Sequence, residues 1–164
     1  MSTLEAGAAA VDITPTESIT LAGWGNRDHP SEGVSHALFA KALAVRDAGG
    51  HQGLWITADI LGYSRTMADS LEHRIAQQYG LEPSQVILGS SHNHSGPYTP
   101  DLLHLYFDIS QSEQEVADRY TAGLLDKIVA LAGLALADLA PARFSFGLGL
   151  AGFGVNRRRA RGKP

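Results

Sequence analysis

Cysteine is absent from the 164 residues, so disulfide frameworks, thiolate nucleophiles and thiolate metal sites are all excluded. Any metal must be held by His, Asp, Glu or Tyr. Charge is sparse, 18% of residues against 44% hydrophobic, which suits a packed globular chain and argues against disorder. Basic runs occur only at the extreme C-terminus and the net charge is −4, so no electrostatic footprint for nucleic acid is expected. Met1 to Glu5 carries no basic n-region, and the small-residue run Ala6–Val11 is too short for a signal core. The longest apolar stretch, Ile128–Leu139, is broken by Asp138 and falls short of a membrane span, so no integral membrane segment is expected. These absences lead to the expectation of a cytoplasmic chain, or a secreted one if an upstream signal is missing. There is no internal repeat and no low-complexity linker.

The remaining pattern reads as one α/β domain. Leu4–Ile13 is an apolar strand stopped by Thr14-Pro15. Leu21–Glu32 (LAGWGNRDHPSE) is a loop by composition. Phe39–Asp47 and Leu54–Asp59, joined by Ala48-Gly49-Gly50-His51, form a hairpin. Met67, Leu71, Ile75 and Tyr79 recur at helical spacing over Arg65–Tyr79, with Gly80 as the C-cap. Val86–Gly89 then reads as a buried strand, which makes a βαβ crossover with two parallel strands. A longer helix is expected to start at a capping box of Ser112 and Glu115 and to carry the stripe Val116, Tyr120, Leu124, Ile128, Leu131 and Ala135, closing at Pro141. Arg143–Leu150 (RFSFGLGL) alternates as a last strand. The fold class expected is a mixed sheet with a βαβ crossover and flanking helices.

Chemistry concentrates at His92-Asn93-His94, directly after a short apolar strand. In an extended segment residues two apart share a face, so both imidazoles can converge on one point. Imidazole is a common zinc ligand, and a catalytic zinc wants about three protein ligands with one position open. Ligands bind beyond the carboxyl ends of parallel strands, where the crossover brings Asp59 beside the histidines as metal ligand or as hydrogen-bond partner of an imidazole. Asp59 reads equally well as the cap of a local turn over Leu61–Ser64. His29 and His36 lie in or beside the glycine-rich loop, which could fold over the site. His51, His73 and His104 are more readily solvated.

Taken in order, the segments resemble a known family. Ala6–Pro15, Leu21-Ala22-Gly23-Trp24-Gly25, Gly33–Leu43, Asp59-Ile60-Leu61-Gly62 and Ser90-Ser91-His92-Asn93-His94-Ser95-Gly96-Pro97 are similar to successive segments of the neutral, non-lysosomal ceramidases. The last corresponds to that family's His-Thr-His-Ser-Gly-Pro motif. The resemblance implies a zinc amidase that cleaves ceramide into sphingosine and fatty acid. It implies His92 as a zinc ligand, His94 beside the metal orienting substrate or stabilising charge, and Arg157 as a polar contact in the site. Two departures stand out. Ser35-His36-Ala37-Leu38 replaces the family's His-Asp-Pro-Leu, and the family's other zinc ligands (a His, a Glu and a Tyr) lie downstream of the segment around Asn156-Arg157. Residues 1–164 are therefore expected to be the N-terminal portion of an incomplete catalytic domain, inactive and weak for zinc without the missing C-terminal part. The substrate implied is a lipid amide. The alternatives are a small soluble amide or ester cleaved by another metallohydrolase, and a non-catalytic binding domain. A metallo-β-lactamase-like site would want Asp-His where Ser95-Gly96 stands. Leu102, Leu103, Leu105, Tyr106 and Phe107 either line an apolar entry groove or pack as a short amphipathic helix.

Overall fold

A computed structural model describes residues 4–102 and 109–154. Its frame is a five-stranded sheet of β1 (Glu5–Asp12), β2 (Phe39–Arg46), β3 (Gln52–Ala58), β4 (Val86–Ser90) and β5 (Ala140–Pro141), in the order β4-β3-β2-β1-β5. Strands β1, β2 and β3 pair antiparallel, whereas β3 and β4 run parallel across the expected crossover. The tight β2–β3 turn is closed by Asp47, whose Oδ1 accepts from the Gly49 and His51 amides at 2.8 and 2.9 Å. Short polar side chains at the head of a turn satisfy its free amides in this way.

Helix α1 (Arg65–Tyr79) has the boundaries its periodicity gives. Ser64 Oγ accepts from the Met67 amide, Gly80 leaves the helix at φ 70°, and Met67, Leu71 and Ile75 are buried. Helix α2 (Gln111–Ala137) starts earlier than expected: Ser110 with Glu113, not Ser112 with Glu115, forms the capping box. The S-x-x-E pattern occurs twice, two residues apart, and only the first gains a tertiary bond. Glu113 accepts from the Ser110 amide at 2.9 Å and, through its other oxygen, from the Thr20 hydroxyl at 3.0 Å. Glu115 accepts instead from the Gln111 side chain.

Both helices contribute to a single core over one sheet face. Ala40, Ala42, Ala44, Leu54, Ile56 and Ala58 meet Leu71, Ile75, Leu124, Ile128 and Leu131 there. The small alanines of β2 let the helices approach closely, while the larger side chains of β3 and α2 fill the layer. By length and composition alone α2 could cross a membrane. The apolar stretch Ile128–Leu139 understated it, because the helix runs through polar residues on its outer side. Its inner side is spent on the sheet, and its flank bonds to Arg74 through Asp126 and to the Asp12 carbonyl through Lys127.

Arg143–Leu150 is not a strand. The register explains why: Ala140 pairs Ala6, Pro141 pairs Glu5, and the Ala142 amide reaches the Leu4 carbonyl at 2.8 Å. From there the segment runs past the described start of β1 and has no neighbour to bond among the described residues. Phe144, Phe146, Leu148 and Leu150 are all largely exposed.

Candidate active site

The site is assembled at the carboxyl ends of β3 and β4 by main-chain bonds. Ala58 and Ser90 are register partners at the last rung of the parallel pair. Beyond it the two chains stay together, with the Ser91 amide on the Ala58 carbonyl (3.0 Å) and the Asn93 amide on the Ile60 carbonyl (3.1 Å). The glycine loop joins from the other side. The Ala22 amide bonds to the Gly96 carbonyl (2.9 Å) and the Tyr98 amide to the Thr20 carbonyl (2.7 Å), flanking a bridge between Leu21 and Pro97. A small buried cluster of Ala22, Leu61, Tyr98 and Ala117 lies beneath these loops.

His92 is not extended. Its φ is 54°, a left-handed conformation that costs a non-glycine residue on the order of 1–3 kcal/mol and that tertiary bonds must hold in place. The two imidazoles do meet, edge to face with centroids 4.8 Å apart, but this kink and the turn after it bring them together, rather than strand alternation. His92 Nδ1 lies 2.9 Å from the Leu61 carbonyl oxygen. A carbonyl only accepts, so Nδ1 carries the proton and Nε2 is the ring nitrogen left outside this bond. Metal-binding imidazoles are oriented by the same kind of bond.

His94 is walled by the glycine loop. The Trp24 ring stands edge-on to it at 5.7 Å, and a Cβ on Gly23 (φ 94°) would come within 2.6 Å of the His94 Cα. Only glycine fits that approach and that backbone angle. Arg27 ties the two loops together, donating to the Ala22 carbonyl (3.2 Å) and to Ser95 Oγ (3.4 Å). Trp24 and Arg27 were missed from sequence; an aromatic and a cation inside a run of Gly, Asn and Asp were the available signal.

Asp59 is adjacent through its backbone, its carbonyl oxygen lying 3.2 Å from where a Cβ on Gly96 would sit. Its carboxylate goes elsewhere, accepting from the Phe39 amide at 3.0 Å, while the Asp59 amide donates to the Phe39 carbonyl at 2.9 Å. It makes no hydrogen bond with either imidazole among the described residues. His29 pairs with Asp28 (2.7 Å) and His51 with Asp47 (3.0 Å), both at the surface. Arg157, His104, and the stretch Leu103 to Phe107 lie outside the described residues. Among the described residues no three His, Asp or Glu side chains gather as a metal cluster. The donor set thus fits part of a zinc site, one oriented imidazole with a second beside it.

Residues 4–160 match the family model of the neutral/alkaline non-lysosomal ceramidases, N-terminal part. The chain belongs to that family. Neutral ceramidases from Drosophila pseudoobscura pseudoobscura and Drosophila melanogaster are each 30% identical to it over 114 residues, 66% of this chain. Among solved structures, a neutral ceramidase from Pseudomonas aeruginosa superposes with a TM-score of 0.71 at 20% identity, over 86% of this chain. A ceramidase complexed with C2 superposes with a TM-score of 0.70 at 19% identity. The fold is that of the ceramidases. This chain spans 16% of the length of the insect ceramidases and 22% of the solved ones.

Proposed function

We propose that this chain supplies one wall of a zinc-dependent amidase site that cleaves an N-acyl amide of ceramide type. The observation that carries the proposal is the bond from His92 Nδ1 to the Leu61 carbonyl, which leaves Nε2 free to bind a metal next to a second imidazole. Family membership supports the amide substrate, and the insect relatives bear the name neutral ceramidase. When bound, zinc supplies Lewis acidity toward an amide carbonyl. His92 holds the metal through Nε2. His94, boxed between Trp24 and His92, orients the substrate and meets charge that develops on the reacting oxygen. By family resemblance, Arg157 would add a polar contact in the site. Asp59 pins the ends of β2 and β3 through Phe39, and so supports the site without ligating the metal.

A single donor makes a weak site. Calorimetric titration with zinc should show weak binding that disappears in His92→Ala with circular dichroism unchanged. Undiminished binding in the variant would remove His92 from the metal. For the substrate, a panel of N-acyl amides should favour long chains once the full catalytic domain is present. Preference for short, water-soluble amides would overturn the lipid assignment and leave the metal chemistry standing.

A further inference from the structure

The helices cover the sheet on one face, the side that carries Ala40, Ala42 and Ala44 of β2 and Leu54, Ile56 and Ala58 of β3. The opposite face should then be polar, since a solvated sheet alternates apolar residues inward with polar ones outward. It is not. The outward positions of β2 are Phe39, Lys41, Leu43 and Val45, apolar but for Lys41. Register places Ala8, Leu43, Trp55 and Ile87 in one row across four strands. Trp55 is 53% exposed and Ile87 58%.

The segment after β5 extends this face. Ala140 is the register partner of Ala6, and Ala6 of Val45, so all three point outward. No turn or bend interrupts residues 142–154, and residues two apart in an extended chain share a side. Phe144, Phe146, Leu148 and Leu150 therefore form an apolar arm on the outward side, with Ser145, Gly147 and Gly149 on its back. The Ala142 amide bonds to the Leu4 carbonyl, so the arm leaves past the start of β1 and heads off its own sheet. Without a reversal it cannot cover the face it extends.

The two surfaces are large. Trp55, Phe144 and Phe146 are each more than half exposed, and an aromatic side chain carries about 150–250 Å². With the open Leu148 and Leu150, they exceed the roughly 300–600 Å² patch of a typical monomer and approach the ~800 Å² each partner gives to a standard interface. A second copy supplies what each surface lacks. The platform needs an apolar cover and the arm an apolar bed, and a two-fold axis makes arm meet platform twice. Length agrees: eight extended residues reach about 26 Å, and four strands span about 19 Å.

We propose that two copies of this chain pair through their outer sheet faces, the arm Arg143–Leu150 of each lying across Leu43, Trp55 and Ile87 of the other. The glycines on the arm's back leave its peptide groups open to water, so the arm needs no strand partner.

Sedimentation velocity over a range of concentrations tests the pairing. The expected result is a reversible equilibrium between monomer and dimer, with no larger species. Trp55→Thr with Ile87→Thr, which keeps strand-forming side chains, should weaken association at least tenfold, and so should Phe146→Ser with Leu148→Ser on the arm. Leu134→Lys, exposed on α2 and away from this face, should leave it unchanged. Labelling the native chain with 5-fluorotryptophan gives a readout that no substitution can unfold: the Trp55 resonance should move with concentration while that of Trp24 stays. A monomer at every concentration, growth into larger species, indifference to both pairs of substitutions, or a stationary Trp55 resonance would each overturn the proposal. So would a monomer whose Trp55 is shielded only in a longer chain or on lipid vesicles, which would assign the face to the same polypeptide or to a membrane. No readout involves a metal or an amide, so the outcome is independent of the amidase reading.

Discussion

Two buried clusters share this chain and are built differently. The larger lies between the sheet and the two helices, and it draws whole rows of side chains from β2, β3, α1 and α2. The smaller, under the histidines, takes Ala22, Leu61, Tyr98 and Ala117 singly from four segments far apart in sequence. Regular elements bury side chains by repetition, so each residue in the first cluster is backed by others on its face. The second has no repetition to draw on. Its shape is held by main-chain bonds among residues 20–22, 58–61 and 90–98. Stability should reside mainly in the first cluster, and geometry at the site mainly in the second.

The sharpest way to separate them is to damage each in turn. Leu71→Ala, in the fully buried face of α1, should cost about 2–5 kcal/mol in urea denaturation. A loss under 1 kcal/mol would show a core that collapses around the hole. Gly23→Ala should cost less globally, about 1–3 kcal/mol, because only one loop is strained. Its main effect should be local: the Trp24–His94 ring contact, read as a nuclear Overhauser effect between the rings, should vanish. Retention of that contact would mean the glycine loop is not what places His94. Ser110→Ala should cost about 1 kcal/mol through loss of the helix cap. That loss should be non-additive with Thr20→Val, since both bond Glu113.

The smallest effect is one of pH. The Ser110 hydroxyl, then its amide and the Thr20 hydroxyl, hold the Glu113 carboxyl below its ordinary value of 4.5. A carboxyl lowered in the folded state binds its proton more readily when unfolded. Its contribution is therefore complete above pH 4.5 and fades as pH falls through the lower folded value. Stability curves of the native chain and Ser110→Ala should converge in acid; parallel curves would show that the box carries no charge-dependent part.

The difference between the clusters also governs what could be read from sequence. Helix α1 was legible to the residue, because Met67, Leu71, Ile75 and Tyr79 repeat and Gly80 stops them. The hairpin and the parallel crossover followed from similarly repetitive signals. Alternation in Arg143–Leu150 was equally clear, yet it specifies two faces and not a neighbouring strand, and the register of β5 carries the segment away from β1. At the candidate site, His92 and His94 stand out by residue type. The left-handed turn at His92 and the carbonyl that orients its ring do not, since main-chain groups look alike at every position. Spacing brings Asp59 to the same strand end, but it does not say which way a carboxylate turns, and here one of its oxygens accepts from the Phe39 amide.

The partner of His92 has a consequence of its own. A carboxylate that orients an imidazole can be lost by a single substitution, and many histidine sites are vulnerable in that way. The Leu61 carbonyl cannot be mutated away, because every residue type brings the same oxygen. The choice of ring nitrogen at His92 is thus inherited from the path of the chain between β3 and α1. Replacing side chains around this corner leaves that oxygen in place for as long as the chain keeps its path.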